Sequence, residues 1–278
     1  MRYSGLAASA AVVCMLAGAV PAQADPAAAS VPPANSTAYD AANWPAFQLY
    51  RAGKYADAIA AGTAEKTARG YALAAAAEIG DAALHFPPCM ECVQKAESYA
   101  RQAIATDPNL PEGHIFLAVA LGLDSHIIGS VSALSKGYGN ESKTHIEEAV
   151  KLAPKNARAW GTLGGWNLEV VRAAGSMIAN WQYGATPEKG IELFNKGIAL
   201  DPNNLVLHYQ FALSLTGLDA DKYHDLIQKE LASAASLTPD TAYDRMSKKR
   251  AEELLALLKA GDKDGFVTTA KKYQGFPA

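Results

Sequence analysis

The sequence has little net charge and few aromatic residues, and both shortages narrow the classes of protein it can be. Its 25 Lys+Arg against 28 Asp+Glu give a net charge of −3, which argues against a nucleic-acid binder that relies on bulk positive charge. Aromatic residues make up only 8% of the chain, and alanine is abundant, a balance that favours helices over strands. Half of the residues are hydrophobic and 19% are charged, which excludes wholesale disorder. The composition therefore predicts a soluble, helical, globular protein.

Long apolar runs are scarce too, and the one at the N-terminus is typical of an export signal. Residues 6–20 are apolar, Arg2 precedes them, and Ala22-Gln23-Ala24 fits the small-x-small rule for signal peptidase. A membrane anchor is the alternative, but the run is shorter than the roughly 20 residues that a span needs. We therefore expect residues 1–24 to be a signal peptide that is cleaved after Ala24.

The rest of the chain divides into a short linker and one domain. Residues 25–40 are rich in Pro, Ala and Ser and have little to bury, so we expect a flexible linker there. Residues 41–278 are expected to form the folded domain. Since no later segment could cross a membrane, the mature protein is expected to be free in the periplasm, with no membrane span.

An internal repeat is the main signal in the domain. Four amphipathic segments end alike, in ARQAIATDP, IEEAVKLAP, FNKGIALDP and LASAASLTP, and each is closed by a proline that cannot continue a helix. A second apolar helix follows each proline, and the stretch from Trp160 to Gly164 has the W-x2-L-G signature of a tetratricopeptide helix. A single helix pair cannot cover its apolar face, so pairs must stack. We predict an all-α, right-handed tetratricopeptide solenoid of about five helix pairs, with C-terminal capping helices.

Two of the predicted pairs are longer than the 34-residue tetratricopeptide unit. The extra residues fall within 123–139 and 170–185, and both inserts are apolar and end in a Tyr-Gly step. Two matched inserts on one side of a solenoid suggest lengthened helices that pack on each other.

Three stretches resemble a known family. LGGWNLEV (residues 163–170), NWQYGATPEKGIELF (180–194) and KTHIEEAVKLAPKNARAW (143–160) are similar to the tetratricopeptide module of the regulator-of-microtubule-dynamics proteins and their bacterial relatives. A periplasmic protein meets no microtubules. The resemblance therefore implies the fold and a general role in protein interaction, and nothing more specific.

The only chemical motif in the mature chain is Cys89-Met90-Glu91-Cys92. Val93 stands where covalent haem attachment needs His, and no second CxxC supplies further zinc ligands. Thiol redox activity remains an alternative, because a helix N-terminus would lower the pKa of Cys89. We favour a small structural disulfide between Cys89 and Cys92 in an oxidising compartment.

No other motif predicts catalysis, a metal or a cofactor. The sequence contains no G-x-S-x-G, H-E-x-x-H or phosphate-binding loop. His114 and His208 occupy one register position of the repeat, where an aromatic is typical, so we expect them to serve packing. The basic triplet at residues 248–250 is expected to lie on a solvated helix face.

The concave face of the solenoid is the predicted binding surface, because the first helix of each pair lines that face. It is apolar, with Arg158 and Glu169 as its only charges. The predicted groove residues are Ile115, Val119, Leu123, Arg158, Leu168, Glu169, Val206, Tyr209 and Leu213. An exposed apolar strip of this size is a liability unless it is covered, either by the inserts or by an apolar ligand or amphipathic helix.

These observations predict a protein without catalytic activity. The favoured role is a periplasmic scaffold that holds an unidentified partner protein in its concave face. The alternative is a carrier for an apolar small molecule or lipid in an insert-lined groove, a role that could serve a transporter. An enzyme that uses Cys89 and Cys92 is the least favoured reading.

Overall fold

The chain folds as a series of α-helices. The computed structural model of the protein describes residues 44–86 and 88–275; the predicted signal peptide and linker lie outside the described residues. The helices are α1 (Pro45–Ala52), α2 (Tyr55–Ala64), α3 (Ala68–Ala82), α4 (Met90–Thr106), α5 (Pro111–Ile128), α6 (Ser130–Ser135), α7 (Tyr138–Leu152), α8 (Ala157–Ala174), α9 (Ser176–Ile178), a π-helical turn (Ala179–Tyr183), α10 (Pro187–Leu200), α11 (Leu205–Asp219), α12 (His224–Ser236), α13 (Ala242–Lys259) and α14 (Lys263–Tyr273). No strand occurs among the described residues.

The helices pack as consecutive antiparallel pairs, each made of a first helix (A) and a second helix (B). The pairs are α1/α2, α3/α4, α5/α7, α8/α10 and α11/α12, and all of these helices lie in one compact unit. Successive A helices also contact one another, from α1 to α3, α5, α8 and α11. The predicted all-α helical solenoid of about five pairs is therefore confirmed.

Small residues allow the A and B helices to approach closely. An added Cβ at Gly164 on α8 would lie 2.9 Å from the carbonyl oxygen of Gly190 on α10, and one at Gly197 would lie 2.7 Å from the carbonyl oxygen of Ala157. The larger residues fill the space between pairs: the Phe194 ring of the fourth pair stacks on Phe211 of the fifth at 4.5 Å. Each pair thus buries the apolar face of the next.

One aromatic position on the A helix fixes the turn between successive pairs. His114, Trp160 and His208 each lie six residues after the closing proline and place a ring nitrogen 2.8–3.1 Å from its carbonyl oxygen. A carbonyl at a helix end has lost its helical partner, so this contact satisfies it. The prediction that His114 and His208 share one structural position is confirmed.

The two inserts continue their A helices and then turn outward. Gly129 ends α5 and Gly175 ends α8, and each is followed by a short helix. The large apolar side chains that follow are exposed, so they do not fill the concave face. The sequence left open what covers the groove, and these exposed side chains of the inserts do not cover it.

The C-terminal helices cover the concave face instead. α13 packs on α11, α12 and α1, so the last part of the solenoid contacts the first, and α14 packs on α11. Arg250 donates to the carbonyl oxygen of Ala83 at the end of α3, and His126 on α5 lies 2.9 Å from the carbonyl oxygen of Gln274. The amphipathic element on this face is thus the chain's own.

Within the part of the chain that the structure describes, none of the helices combines the length and apolar character that a membrane crossing requires.

Candidate functional site: the concave face

Some of the predicted side chains of the concave face are fully buried and others are partly exposed. Ile115, Leu168, Tyr209 and Leu213 are fully buried. Tyr209 and Leu213 lie in one core cluster with residues of α13 and α14. The other predicted groove residues keep part of their surface exposed; these are Val119, Leu123, Arg158, Glu169 and Val206. The face therefore retains an accessible part.

Arg158 is the main charge in the accessible part. It lies in the first turn of α8, with its guanidinium carbon 5.8 Å from the centre of the Phe116 ring. Burial raises the pKa of Tyr50, and the positive charge of Arg158 opposes this rise. Burial also raises the pKa of Tyr243, and this rise is opposed by the charge of Arg250, by the hydrogen bond with Gln210 and, less strongly, by the charge of Arg158. Arg158 therefore lies close to two neutral phenols, one from the first A helix and one from α13.

No described residue neutralises Arg158. The ion pairs of arginine among residues 44–86 and 88–275 are made by Arg51, Arg101 and Arg172, and the Arg158 guanidinium makes no hydrogen bond there. A half-buried guanidinium with five donors and aromatic neighbours is suited to a carboxylate or phosphate.

Glu169 has a different role from Arg158, because it is paired. It accepts hydrogen bonds from Arg172 on the same helix and lies 2.8 Å from Nε2 of His126 on α5. Burial alone would raise its pKa, but the hydrogen bonds from Arg172 and His126 lower the pKa of Glu169 to about 2. The carboxylate is therefore charged and holds α5 to α8.

A network of polar groups joins α13 to the solenoid. Gln210 on α11 lies 3.4 Å from the Tyr243 hydroxyl, and Arg245 donates to the carbonyl oxygen of Arg51. The guanidinium of Arg250 also lies over the ring of Tyr273, 4.4 Å from its centre. The expectation that residues 248–250 form a solvated face holds for Lys249, which is exposed. Lys248 and Arg250 are half-buried and donate to the carbonyl oxygens of Leu237 and Ala83.

Cys89 and Cys92 meet at the start of α4. Their sulfurs lie 2.05 Å apart, at disulfide-bond distance, and their Cα atoms are 5.3 Å apart. Cys92 is buried beside Val93 and Ala82. The pair links the N-cap of α4 to its first turn, a position that fits a structural disulfide.

The two histidines of the repeat position differ in what their second nitrogen contacts. Nδ1 of His114 lies 2.9 Å from Nδ1 of His145 on α7, whereas Nδ1 of His208 lies 2.5 Å from the Glu230 carboxylate on α12. Burial, together with the charge that His114 can carry, lowers the pKa of His145. For His208, burial acts downward but the hydrogen bond with Glu230 raises the pKa overall. Neither pair opens onto the concave face.

Among residues 44–86 and 88–275, no three His, Cys, Asp or Glu side chains form a group that could hold a metal ion.

Sequence reasoning missed Tyr50 and Tyr243 as part of this site. Both come from elements at opposite ends of the chain, and only the return of α13 to α1 brings them to Arg158. The sequence of α13 carries a weak signal, because a helix that only caps the solenoid against solvent does not need its tyrosine and arginines.

A comparison with known protein families identifies the family of the chain. The family model for regulator of microtubule dynamics protein 1-3 matches residues 35–259, which is more than half of the chain and ends at the last residue of α13. No curated protein matches the sequence. The chain therefore belongs to the family of regulator of microtubule dynamics proteins 1-3.

Proposed function

We propose that this chain is a non-catalytic binding protein that carries a small amphipathic molecule, with an anionic head and an apolar tail, in its concave face. The single observation that carries the proposal is the Arg158 guanidinium, half-buried and without a counter-ion among the described residues. Leaving such a charge partly desolvated is costly unless a partner neutralises it. An anionic ligand head would supply that partner.

The walls around Arg158 support an apolar tail. Val119 and Leu123 lie on the same face of α5 and keep part of their surface exposed. Sites for small ligands are typically apolar with a few convergent polar groups. Here the polar groups would be Arg158 and the hydroxyls of Tyr50 and Tyr243.

The covered concave face favours a small ligand over a long partner polypeptide. A peptide that lay along this face would have to displace α13 and break its contacts with Arg51, Ala83 and Gln210. A scaffold for a partner protein is the second candidate, supported by the fact that the face already accommodates one amphipathic helix.

We also propose that the protein is exported to the periplasm and that its helix pairs are tetratricopeptide units. The export signal in residues 1–24 and the disulfide-bonded Cys89 and Cys92 support an oxidising compartment. The stacked helix pairs and the W-x2-L-G stretch support the tetratricopeptide unit. Microtubule regulation, which the family description states, finds no support in these features.

Titration of the purified protein with a dansyl-labelled fatty acid tests the carrier function. We expect saturable binding, weakened at least about tenfold in Arg158→Gln and by less in Arg158→Lys, which keeps the charge but not the guanidinium geometry, because a hydrogen-bonded charge contributes about 1.5–3 kcal/mol. Arg101→Gln is the matched control, since Arg101 makes only surface ion pairs with Glu97 and Glu141.

Two results would overturn the carrier function in favour of the scaffold. One is wild-type protein that neither binds the probe nor releases an apolar molecule on solvent extraction. The other is a defined protein partner whose binding is lost in Arg158→Gln while probe binding stays unchanged.

A further inference from the structure

We infer that the two inserts form a membrane-docking surface that binds the headgroup region of an anionic lipid bilayer. The surface consists of the insert tips, which we define as Val131 and Leu134 on α6 and Met177, Ile178 and Trp181 on α9 and the π-helical turn. This inference goes beyond the proposed ligand site, from which it is structurally separate.

The two tips are built in the same way. Gly129 (φ 84°, ψ 156°) and Gly175 (φ 78°, ψ 153°) end their A helices in one conformation that only glycine adopts readily. A serine follows each glycine, then an exposed apolar residue, and two residues later a buried alanine, Ala133 or Ala179. The same turn thus directs a large apolar side chain outward twice.

The side chains of the insert tips are exposed to the extent expected on a convex protrusion. Val131 is 85% exposed, Met177 84% and Trp181 86%. Residues that line a groove for a protein partner are partly covered by the groove walls, whereas these are surrounded by solvent on nearly all sides. Isolated protruding apolar side chains suit insertion into a soft bilayer interface, where tryptophan in particular is enriched.

The base of the inserts is rigid and holds both tips at one edge of the solenoid. The Tyr183 ring lies edge-on to Trp166 at 6.0 Å, and Trp166 donates to the carbonyl oxygen of Gly139, at the end of the first insert. Lys143 donates to the carbonyl oxygen of Tyr183, at the end of the second. The bases of both inserts therefore meet, so both tips can engage one surface together.

The charges around the tips suit an anionic bilayer. Residues 125–140 and 173–187 contain no Asp or Glu, and Lys136 directly follows the short helix α6 with half of its side chain exposed. Lys143 and Lys189 lie at the base. The acidic side chains there are the buried Asp124, 3.9 Å from Lys136, Glu147, 4.0 Å from Lys143, and the exposed Glu188. Lysines next to apolar tips are the usual arrangement for anionic lipid surfaces.

Vesicle co-sedimentation tests this inference. The purified protein is mixed with vesicles of phosphatidylcholine and phosphatidylglycerol, and with vesicles of phosphatidylcholine alone. We expect binding to the mixed vesicles, at least about a tenfold loss in Met177→Ser/Trp181→Ser and in Val131→Ser/Leu134→Ser, and weaker binding at high salt. Leu84→Ser is the matched control, since Leu84 is 55% exposed but lies outside the inserts.

Folding and the ligand site are monitored separately. The tip variants should keep the wild-type circular dichroism spectrum and thermal midpoint, because the substituted side chains contact little. They should also bind the dansyl fatty acid normally, and Arg158→Gln should sediment with vesicles like wild type. Any contribution from residues 1–43 is common to all variants.

Three outcomes would overturn the inference. The first is wild-type protein that sediments with neither vesicle, and the second is tip variants that sediment as well as Leu84→Ser. The third is sedimentation velocity showing that wild type self-associates and the tip variants do not, which would make the tips a contact between copies of the chain.

Discussion

At the scale of single residues, one position of the repeat produces opposite electrostatic behaviour in two places. His114 and His208 make the same contact with the carbonyl oxygen of a closing proline, yet the neighbouring B helix presents another imidazole to one and a carboxylate to the other. A second imidazole penalises protonation, whereas a carboxylate favours it. The two pairs should therefore respond to pH in opposite directions.

The His208–Glu230 pair is predicted to stabilise the fold most at mildly acidic pH. The pKa of His208 is raised, so its contribution is complete below the unfolded value of 6.5 and is lost as the pH rises through the folded pKa. The pKa of Glu230 is lowered, so the contribution is also lost as the pH falls from 4.5 through that pKa. Glu230→Gln should lower the free energy of unfolding by about 3 kcal/mol near pH 6 and by less at alkaline pH.

Urea denaturation across the pH range measures this loss. Glu192→Gln serves as control, because Glu192 is exposed on α10, and it should change the stability by less than about 0.5 kcal/mol. An equal effect of Glu230→Gln at every pH would show that the pair is not ionised in the folded state.

The His114–His145 pair is predicted to destabilise the fold in acid. Because the folded pKa of His145 lies below 6.5, the unfolded chain binds more protons, and stability falls as the pH drops through this window. In His145→Gln the slope of the free energy of unfolding against pH should become smaller by up to about 1.4 kcal/mol per pH unit, the value that corresponds to the binding of one proton. The same denaturation series checks this, and a variant with an unchanged slope would contradict it.

At the scale of elements, the effect of replacing a helical glycine depends on what the added Cβ would contact. An added Cβ at Gly197 meets backbone atoms of α8 at 2.7 and 3.2 Å, which cannot move aside, whereas Gly122 on α5 has nothing within 4 Å. Gly197→Ala should therefore destabilise the protein by about 2 kcal/mol. Gly122→Ala should stabilise it by about 0.5–1 kcal/mol, through helix propensity. Urea denaturation of the two variants checks the contrast, and a stabilising Gly197→Ala would mean that α8 and α10 do not cross this closely.

The helices and their pairing could be predicted from the sequence because these signals are local. Closing prolines such as Pro154 and Pro202, and small residues one turn earlier such as Ala149 and Gly197, report on contacts within one pair or between adjacent pairs. The direction of the inserts could not be predicted in this way. Their apolar residues suggest burial, but Gly129 and Gly175 turn them outward, and composition alone does not reveal that conformation.

At the scale of the whole molecule, the candidate site depends on contacts between the two ends of the domain. Tyr50 and Tyr243 are far apart in sequence, and the concave face was predictable only as an open strip of A helices. Its cover, formed by α13 and α14, follows no periodic pattern that relates it to α1. The sequence therefore predicts the apolar residues of the face and Arg158, but not the C-terminal helices that pack against this face.

The contact between α1 and α13 can be tested with two glycines that share a backbone conformation. Gly53 (φ 81°) and Gly261 (φ 72°) each follow a helix and require a positive φ, so alanine strains both by a similar amount, about 1–2 kcal/mol. Only at Gly53 would the new Cβ also meet another element, since the Cβ of Ala242 on α13 would lie 2.8 Å away. Gly53→Ala should therefore speed hydrogen exchange in α1 and in α13 together, whereas Gly261→Ala should affect the α13–α14 turn alone. Equal exchange in α13 for both variants would mean that backbone strain, and not the closure of the solenoid on its first helix, controls this end of the molecule.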